Sequence, residues 1–353
     1  MKVVSIVGAR PQFIKAAAVS RVLRRRDTEI LVHTGQHYDE SMSDVFFQAL
    51  EIPLPDYNLE VGSGSHARQT GEMLIRIEEV LASVGPDAVL VYGDTNSTLA
   101  GGLAAAKLQI PVGHVEAGLR SFNRTMPEEL NRVVADHLSN LLFCPTQTAV
   151  DNLHREGIEK GAHLVGDVMY DVALTHAQQA RKRDIVSRLG LTPQGYVLAT
   201  VHRPANVDDR EALGSILKAF SECGEIVVFP VHPRTRKNLT QFNLDRGLPE
   251  SVRLLAPVDY LDFLALVIAA KKVATDSGGV QKEAYFFGIP CVTLRDETEW
   301  METVEDGWNA VVGTQAADIV DAIRNFNPQG TKSKSFGDGH AAEKIVKLLE
   351  SLA

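Results

Sequence analysis

Short runs of branched apolar residues recur along this chain, and each ends abruptly in small or polar residues ahead of a helix-forming stretch. Residues 3–7 end in Gly8-Ala9-Arg10-Pro11, Ala88–Tyr92 ends in Gly93-Asp94-Thr95, and residues 110–115 end in Glu116-Ala117-Gly118. A run that is apolar at every position suits a strand buried on both faces, which is the habit of parallel sheets. Parallel strands need crossover helices, so repeated strand–turn–helix units predict an α/β fold with a doubly wound parallel sheet. In such sheets ligands bind beyond the carboxyl ends of the strands. The residues that close each run are therefore the first place to look for chemistry.

The same pattern runs twice. In the first series, further strands are predicted at residues 30–34, Leu141–Cys144 and 162–165. Helices are predicted at 12–25, at 69–84 and from the loop after Gly35-Gln36-His37 through Leu50, and residues 52–59 should be extended because each Pro biases its predecessor away from helix. A helix is predicted over 171–188, and a second series then places strands at 196–201, Ile226–Pro230, Val252–Leu255, Lys272–Thr275 and 290–294. The expected organisation is two Rossmann-like domains, 1–169 and 170–339, their sheets facing across a cleft, with a closing helix at about 340–353 packed back on the first. With 353 residues there is enough chain for both cores.

Composition excludes several functions. A formal net charge of −9 argues against sequence-independent nucleic-acid binding, although a local basic pocket for an anionic substrate remains compatible with it. The three cysteines, Cys144, Cys223 and Cys291, lack metal-ligand spacing and are expected to be buried thiols. No apolar run is long enough to span a bilayer, and Met1-Lys2 leads directly into the first strand. The expectation is a cytoplasmic protein with no membrane partner.

Three carboxylates stand out in the first series. Asp94 and Glu116 close successive strands, and Glu128 follows a Pro suited to a first helical turn. Paired acids at one crevice suit acid–base work, and the competing reading of each is a helix cap or solvated surface. Arg10 and Lys15 sit where a strand turns into a helix and could meet an anion, though ordinary surface charge explains either one alone. A GxGxxG fingerprint is absent, which disfavours a plain dinucleotide site. In the second series one strand ends in His202-Arg203 and another in Val231-His232. A third opens Asp276-Ser277-Gly278-Gly279, whose small residues let backbone N–H groups approach a phosphate, and Glu283 one turn later could bind a sugar diol. Each signal is weak by itself. Their joint placement at strand ends predicts a single ligand-binding region.

With these residues in view, the chain resembles the non-hydrolysing UDP-N-acetylglucosamine 2-epimerase family essentially end to end. The motifs are Gly8-Ala9-Arg10-Pro11 with Lys15, Gly35-Gln36-His37, Gly93-Asp94-Thr95, His114-Val115-Glu116-Ala117-Gly118-Leu119-Arg120, and Pro127-Glu128-Glu129 with Asn131-Arg132. They continue with His202-Arg203, Pro230-Val231-His232, and Thr275-Asp276-Ser277-Gly278-Gly279 with Gln281 and Glu283. The resemblance implies the B-type glycosyltransferase fold, a homodimer, and catalysis with no metal and no nicotinamide cofactor. It also implies catalytic positions at Asp94, Glu116, Glu128 and His202, with Arg10 and Lys15 nearby. UDP-binding positions would be His232, Ser277, Gly278, Gly279 and Glu283. Gln36 and His37 match a loop that in several bacterial members helps bind a second UDP-N-acetylglucosamine as an allosteric activator. Here Tyr38-Asp39 replaces the usual Arg-Glu there, Pro204-Ala205-Asn206 follows His202-Arg203, and Trp300-Met301 replaces a common Arg-Pro. These traits look like a branch that includes epimerases of modified substrates such as UDP-2,3-diacetamido-2,3-dideoxyglucuronate. The remaining alternatives are a glycosyltransferase of the same fold, a hydrolysing epimerase and a catalytically silent nucleotide-sugar sensor.

Overall fold

The structure is a computed structural model that describes residues 1–36 and 52–352. The helix expected before Leu50 therefore lies outside the described residues, as do His37, Tyr38 and Asp39. The chain divides into two compact units, Met1–Leu174 with Lys334–Ala353, and Thr175–Ser333.

In the first unit the strands are β1 (Lys2–Val7), β2 (Thr28–His33), β3 (Tyr57–Asn58), β4 (Ala88–Tyr92), β5 (Val112–Val115), β6 (Leu141–Cys144) and β7 (Ala162–Leu164). They form one parallel sheet in the order β3-β2-β1-β4-β5-β6-β7. The order reverses between β1 and β4, so the switch point lies where Gly8 and Gly93 leave the sheet. All five residues of β4 are buried, as the unbroken apolar run required. Of the segment expected to be extended, only Tyr57–Asn58 pairs with a neighbour. One face of the sheet is covered by α2 (His66–Val84) and α3 (Asn96–Lys107), where Met73, Ile77, Ala100 and Ala104 pack on Val4, Ile6, Val89 and Val91. Other helices of this unit are α1 (Arg10–Leu23), α4 (Pro127–Leu138) and α5 (Gln147–Arg155).

The second unit has β8 (Tyr196–Thr200), β9 (Ile226–Pro230), β10 (Val252–Leu255), β11 (Lys272–Thr275), β12 (Cys291–Thr293) and β13 (Asn309–Val311). Its parallel order is β10-β9-β8-β11-β12-β13, with the switch between β8 and β11. The sixth strand, β13, escapes the sequence reading because Asn309-Ala310-Val311 is not an unbroken run of branched apolar residues. Phe220 and Phe229 meet edge to face with centroids 6.0 Å apart in a core that also takes Ile216 and Ile319. All three cysteines are free and buried.

The single helix expected over 171–188 is corrected to two, α6 (Val168–Arg181) and α7 (Ile185–Arg188). Asp184 restarts the helix as its N-cap. Arg183 in the break pairs with Asp259 at 3.2 Å, and Arg188 pairs with Asp262 at 3.1 Å. Tertiary ion pairs thus override local helix propensity.

The last helix, Ala341–Leu349, buries Ala341, Ala342, Ile345, Val346 and Leu349 within the first unit and packs on α1. The Asp171 carboxylate accepts from the N–H groups of Ala341 at 3.1 Å and Ala342 at 2.8 Å. Burial pushes the Asp171 carboxyl up to about 6 from its ordinary 3.8, although those two N–H donors pull the other way. A folded chain that holds this proton more tightly than the unfolded chain loses stability as pH rises between the two values. Across pH 4 to 6.5 the wild-type chain should lose about 2 kcal/mol more than Asp171→Asn, read by urea unfolding at each pH. Parallel pH profiles for the two proteins would remove Asp171 as the source of that slope.

Candidate functional site

In the first unit Gln12 fixes the switch point. Its Oε1 accepts from the N–H groups of Gly8 at 2.8 Å and Ala9 at 3.1 Å, while its Nε2 donates to the Tyr92 carbonyl at 2.6 Å. Three residues on, Lys15 forms an ion pair with Glu116, joining α1 to the end of β5. The pair passes over Gly93, where an added Cβ would stand 3.1 Å from Lys15 Nζ and 3.4 Å from Glu116 Oε2. Glu116 is 9% exposed and adopts φ +71°, a left-handed conformation that costs a non-glycine residue about 1–2 kcal/mol.

Asp94, one strand over, is held by Arg132 of α4 at 2.5 Å, and its backbone carbonyl accepts from Asn131 Nδ2 at 2.9 Å. Arg132 also reaches Glu129 at 3.0 Å. Glu129 in turn accepts from the N–H groups of Ser121 and Phe122, both at 2.9 Å. Burial alone would raise the Glu129 carboxyl, but those N–H donors and Arg132 outweigh it and hold the group below the usual range. Glu128 is exposed and makes no hydrogen bond or ion pair among the described residues. Arg10 is half-buried at the start of α1. Gln36 is buried, and its side-chain oxygen accepts from Ser97 N at 3.0 Å and Ser97 Oγ at 2.7 Å at the start of α3. Asp94, Lys15 and Glu116 are thus brought together at the switch point.

The second unit is organised by Asp276, which is fully buried at the end of β11. Its carboxylate accepts from the N–H groups of His202 at 3.0 Å and Arg203 at 2.9 Å, and from Asn206 Nδ2 at 3.0 Å. The His202 ring remains largely accessible, 6.0 Å from the ring of His232. Ser277 is the N-cap of the helix Gly278–Phe287. At Gly278 the space is tight, since a Cβ would stand 2.5 Å from Glu299 Oε1 and 3.0 Å from Trp300 Nε1, so a side chain there would displace the Glu299 carboxylate. Glu299 pairs with Arg295 at 2.8 Å, and Trp300 lies beneath the ammonium of Lys282, 3.9 Å from the ring centroid. Glu283 is 4% exposed, and burial raises its carboxyl to about 7 against the pull of Tyr260 and Lys282. His202, His232 and Ser277 lie at the ends of neighbouring strands. A separate cavity of about 670 Å³ in this unit is lined by Asp296, Val311 and Asp318 among others, and by none of the residues singled out in the sequence.

Sequence reasoning missed the supporting charges. It gave no role to Glu129, Arg132 or Asp136, though their spacing of three and four residues marks one side of α4. The signal was present as an inversion, with charges at the buried positions and Leu130 and Val134 outside.

Two doubly wound parallel sheets, each gathering polar groups at its switch point, define an enzyme fold shared with the B-type glycosyltransferases. A family model described as UDP-N-acetylglucosamine 2-epimerase matches residues 21–350, and the chain belongs to that family of isomerases. It is 55% identical to a UDP-N-acetylglucosamine 2-epimerase homolog of Methanococcus maripaludis, over 100% of both chains. It is 49% identical, again over 100% of both, to UDP-2,3-diacetamido-2,3-dideoxy-D-glucuronate 2-epimerase of Pseudomonas aeruginosa. The crystal structure of Methanocaldococcus jannaschii UDP-GlcNAc 2-epimerase in complex with UDP-GlcNAc and UDP superposes with a TM-score of 0.92 at 44% identity, covering 99% of this chain and 100% of that one. Among the described residues no group of three or more His, Cys, Asp or Glu is placed to hold a metal ion, and no helix is long and apolar enough to cross a membrane.

Asp276→Asn replaces one acceptor oxygen of a fully buried carboxylate by a donor that faces N–H groups. The expected cost is about 2–3 kcal/mol, measured by urea unfolding of the full chain. A change below about 0.5 kcal/mol would show that the His202–Asn206 loop does not depend on this side chain.

Proposed function

We propose that the protein is a non-hydrolysing UDP-N-acetylglucosamine 2-epimerase that interconverts the gluco and manno epimers by eliminating UDP and adding it back. The observation that carries the reading is the nine-tenths buried Glu116, held in a left-handed conformation and paired with Lys15 beside Asp94. Strain of this kind persists where the surroundings over-determine it, as they do at reacting groups.

The chemistry explains the need for several carboxylates. The C2 proton of an N-acetylhexosamine is not adjacent to a carbonyl and is barely acidic. Cleaving the C1–O bond sends its electron pair to UDP and builds positive charge at C1, which acidifies C2. A carboxylate takes the C2 proton as the C1–C2 double bond forms, giving a 2-acetamidoglycal and UDP. Addition of the UDP oxygen to C1, with a proton delivered to the opposite face of C2, yields the epimer. Acid–base groups are needed on both faces, a task assigned to Glu116, Asp94 and Glu128. Lys15 and Arg10 would offset developing charge. The second unit is assigned the nucleotide: His202, His232 and the Ser277-Gly278-Gly279 turn the diphosphate, and Glu283 the sugar diol. The reading includes a homodimer acting in the cytoplasm on precursors of cell-surface polysaccharide, with neither metal nor nicotinamide in the reaction. It also retains a second UDP-N-acetylglucosamine as activator through the segment containing Gln36 and His37.

A second substrate is favoured by two observations. The Pseudomonas relative that acts on a diacetamido-glucuronate shares 49% identity over the whole chain, and Trp300 fills the space beside Gly278. Comparing kcat/KM for the two UDP-sugars decides between them.

The reaction itself is tested in D₂O. The product should carry one deuterium at C2 and none at C4, and ¹⁸O in the bridge between C1 and phosphorus should scramble. An epimer that keeps its C2 proton and its labelled bridge would sink the elimination scheme. Glu116→Gln should reduce kcat by about 10²–10⁴ with the fold intact. Turnover within a few-fold of wild type would remove Glu116 from the reacting set.

A further inference from the structure

Helix α4 is built inside out. Its buried residues are Glu129, Asn131, Arg132, Ala135 and Asp136, whereas Leu130 and Val134 are 44% and 41% exposed. Leaving an aliphatic side chain half outside forgoes about 1 kcal/mol of burial, and the inner side carries charges and amides in its place.

Asp136 lies deepest, at 1% exposure. Its Oδ2 accepts from Arg120 at 2.7 Å and from the N–H of Gly118 at 3.1 Å, and its Oδ1 lies 2.7 Å from His114 Nδ1. Arg120 is shared with Glu156 at 2.7 Å. The other nitrogen of His114, Nε2, stands 2.7 Å from the carbonyl oxygen of Gly93. Carboxylate and carbonyl oxygens are acceptors, so each ring nitrogen contributes a bond only as a donor. Burial would raise the Asp136 carboxyl, but His114 and Arg120 more than offset it and hold the group below the usual range.

These bonds end on two turns. Gly93 precedes Asp94, and Gly118 follows Glu116 by two residues, so one buried carboxylate reaches the backbone on which both acids stand. We propose that Asp136 is a positioning residue, which through His114 and Gly118 sets the two strand-end turns that present Asp94 and Glu116. Direct support of the acids comes from other groups, Arg132 for Asp94 and Lys15 for Glu116. Asp136 instead fixes the backbone between them, including the left-handed Glu116. The inference rests on Asp94 and Glu116 being the reacting acids.

Asp136→Asn keeps the shape, but its amide donor must oppose Arg120, Gly118 or His114. In the folded variant kcat should fall about 10- to 100-fold with KM for UDP-N-acetylglucosamine within about twofold, because misplaced acids slow chemistry without weakening nucleotide binding. His114→Gln should show the same split, and the double variant should be no slower than the slower single one. Crystal structures of the two variants should show the Gly93 carbonyl turned and Glu116 displaced from Lys15. A kcat within about twofold of wild type in folded Asp136→Asn, or multiplicative losses in the double variant, overturns the proposal. Should Asp136→Asn fail to fold, His114→Gln carries the test, since it gives up the Gly93 bond and leaves Arg120 and Gly118 on Asp136. An inactive wild-type protein would count against the epimerase reading alone, because the crystal structures decide the placement without substrate. An unmoved Gly93 and Glu116 would then overturn the positioning role.

Discussion

A buried carboxylate that collects backbone N–H groups is the interaction on which both units depend. Such a group costs several kcal/mol to desolvate, and the cost is met only where every oxygen finds donors. Asp276 does this for the His202–Asn206 loop and Glu129 for Ser121 and Phe122, whereas at Asp171, which serves the start of the closing helix, burial still outweighs the two donors. Asp276 and Asp171 tie a strand end and a helix start to residues 70 or more positions away, while Glu129 ties the start of its helix to residues seven and eight positions before it. Loops that ordinarily vary in conformation are thereby fixed to the accuracy that chemistry on a sugar ring demands.

The two switch points show the same construction with different contents. In the first unit the polar groups are charges in pairs, Lys15 with Glu116 and Arg132 with Asp94. In the second they are the exposed imidazoles of His202 and His232 beside a helix start where a side chain at Gly278 would press on Glu299 and Trp300. The proposed function assigns proton transfer to the first kind of surface and recognition of the anionic nucleotide to the second. Trp300 fits this division, since it takes up the Lys282 ammonium and fills the ground beside Gly278 with an aromatic ring.

What was legible in the sequence followed from burial on both sides. The run Ala88–Tyr92 could only be an inner parallel strand, and Asp94 and Glu116 had to close their strands. What was hidden depended on rotation or on distant partners. Glu128 and Glu129 are adjacent, yet about 100° of helix rotation sends the first outward and the second inward, a choice their identity does not reveal. Asp136 reads as a surface charge until His114 and Arg120 are seen around it. The break after Arg181 reflects Asp259 and Asp262, about eighty positions further along. Gln36, matched to an activator loop, spends its side-chain oxygen on Ser97.

The inverted α4 also sets how this part of the molecule answers to heat. Apolar cores gain little further from warming, whereas the penalty for dehydrating charges falls as temperature rises. The wall formed by Glu129, Arg132 and Asp136 therefore holds its partners more firmly, relative to the core behind the sheet, in a hot cell than in a cold one.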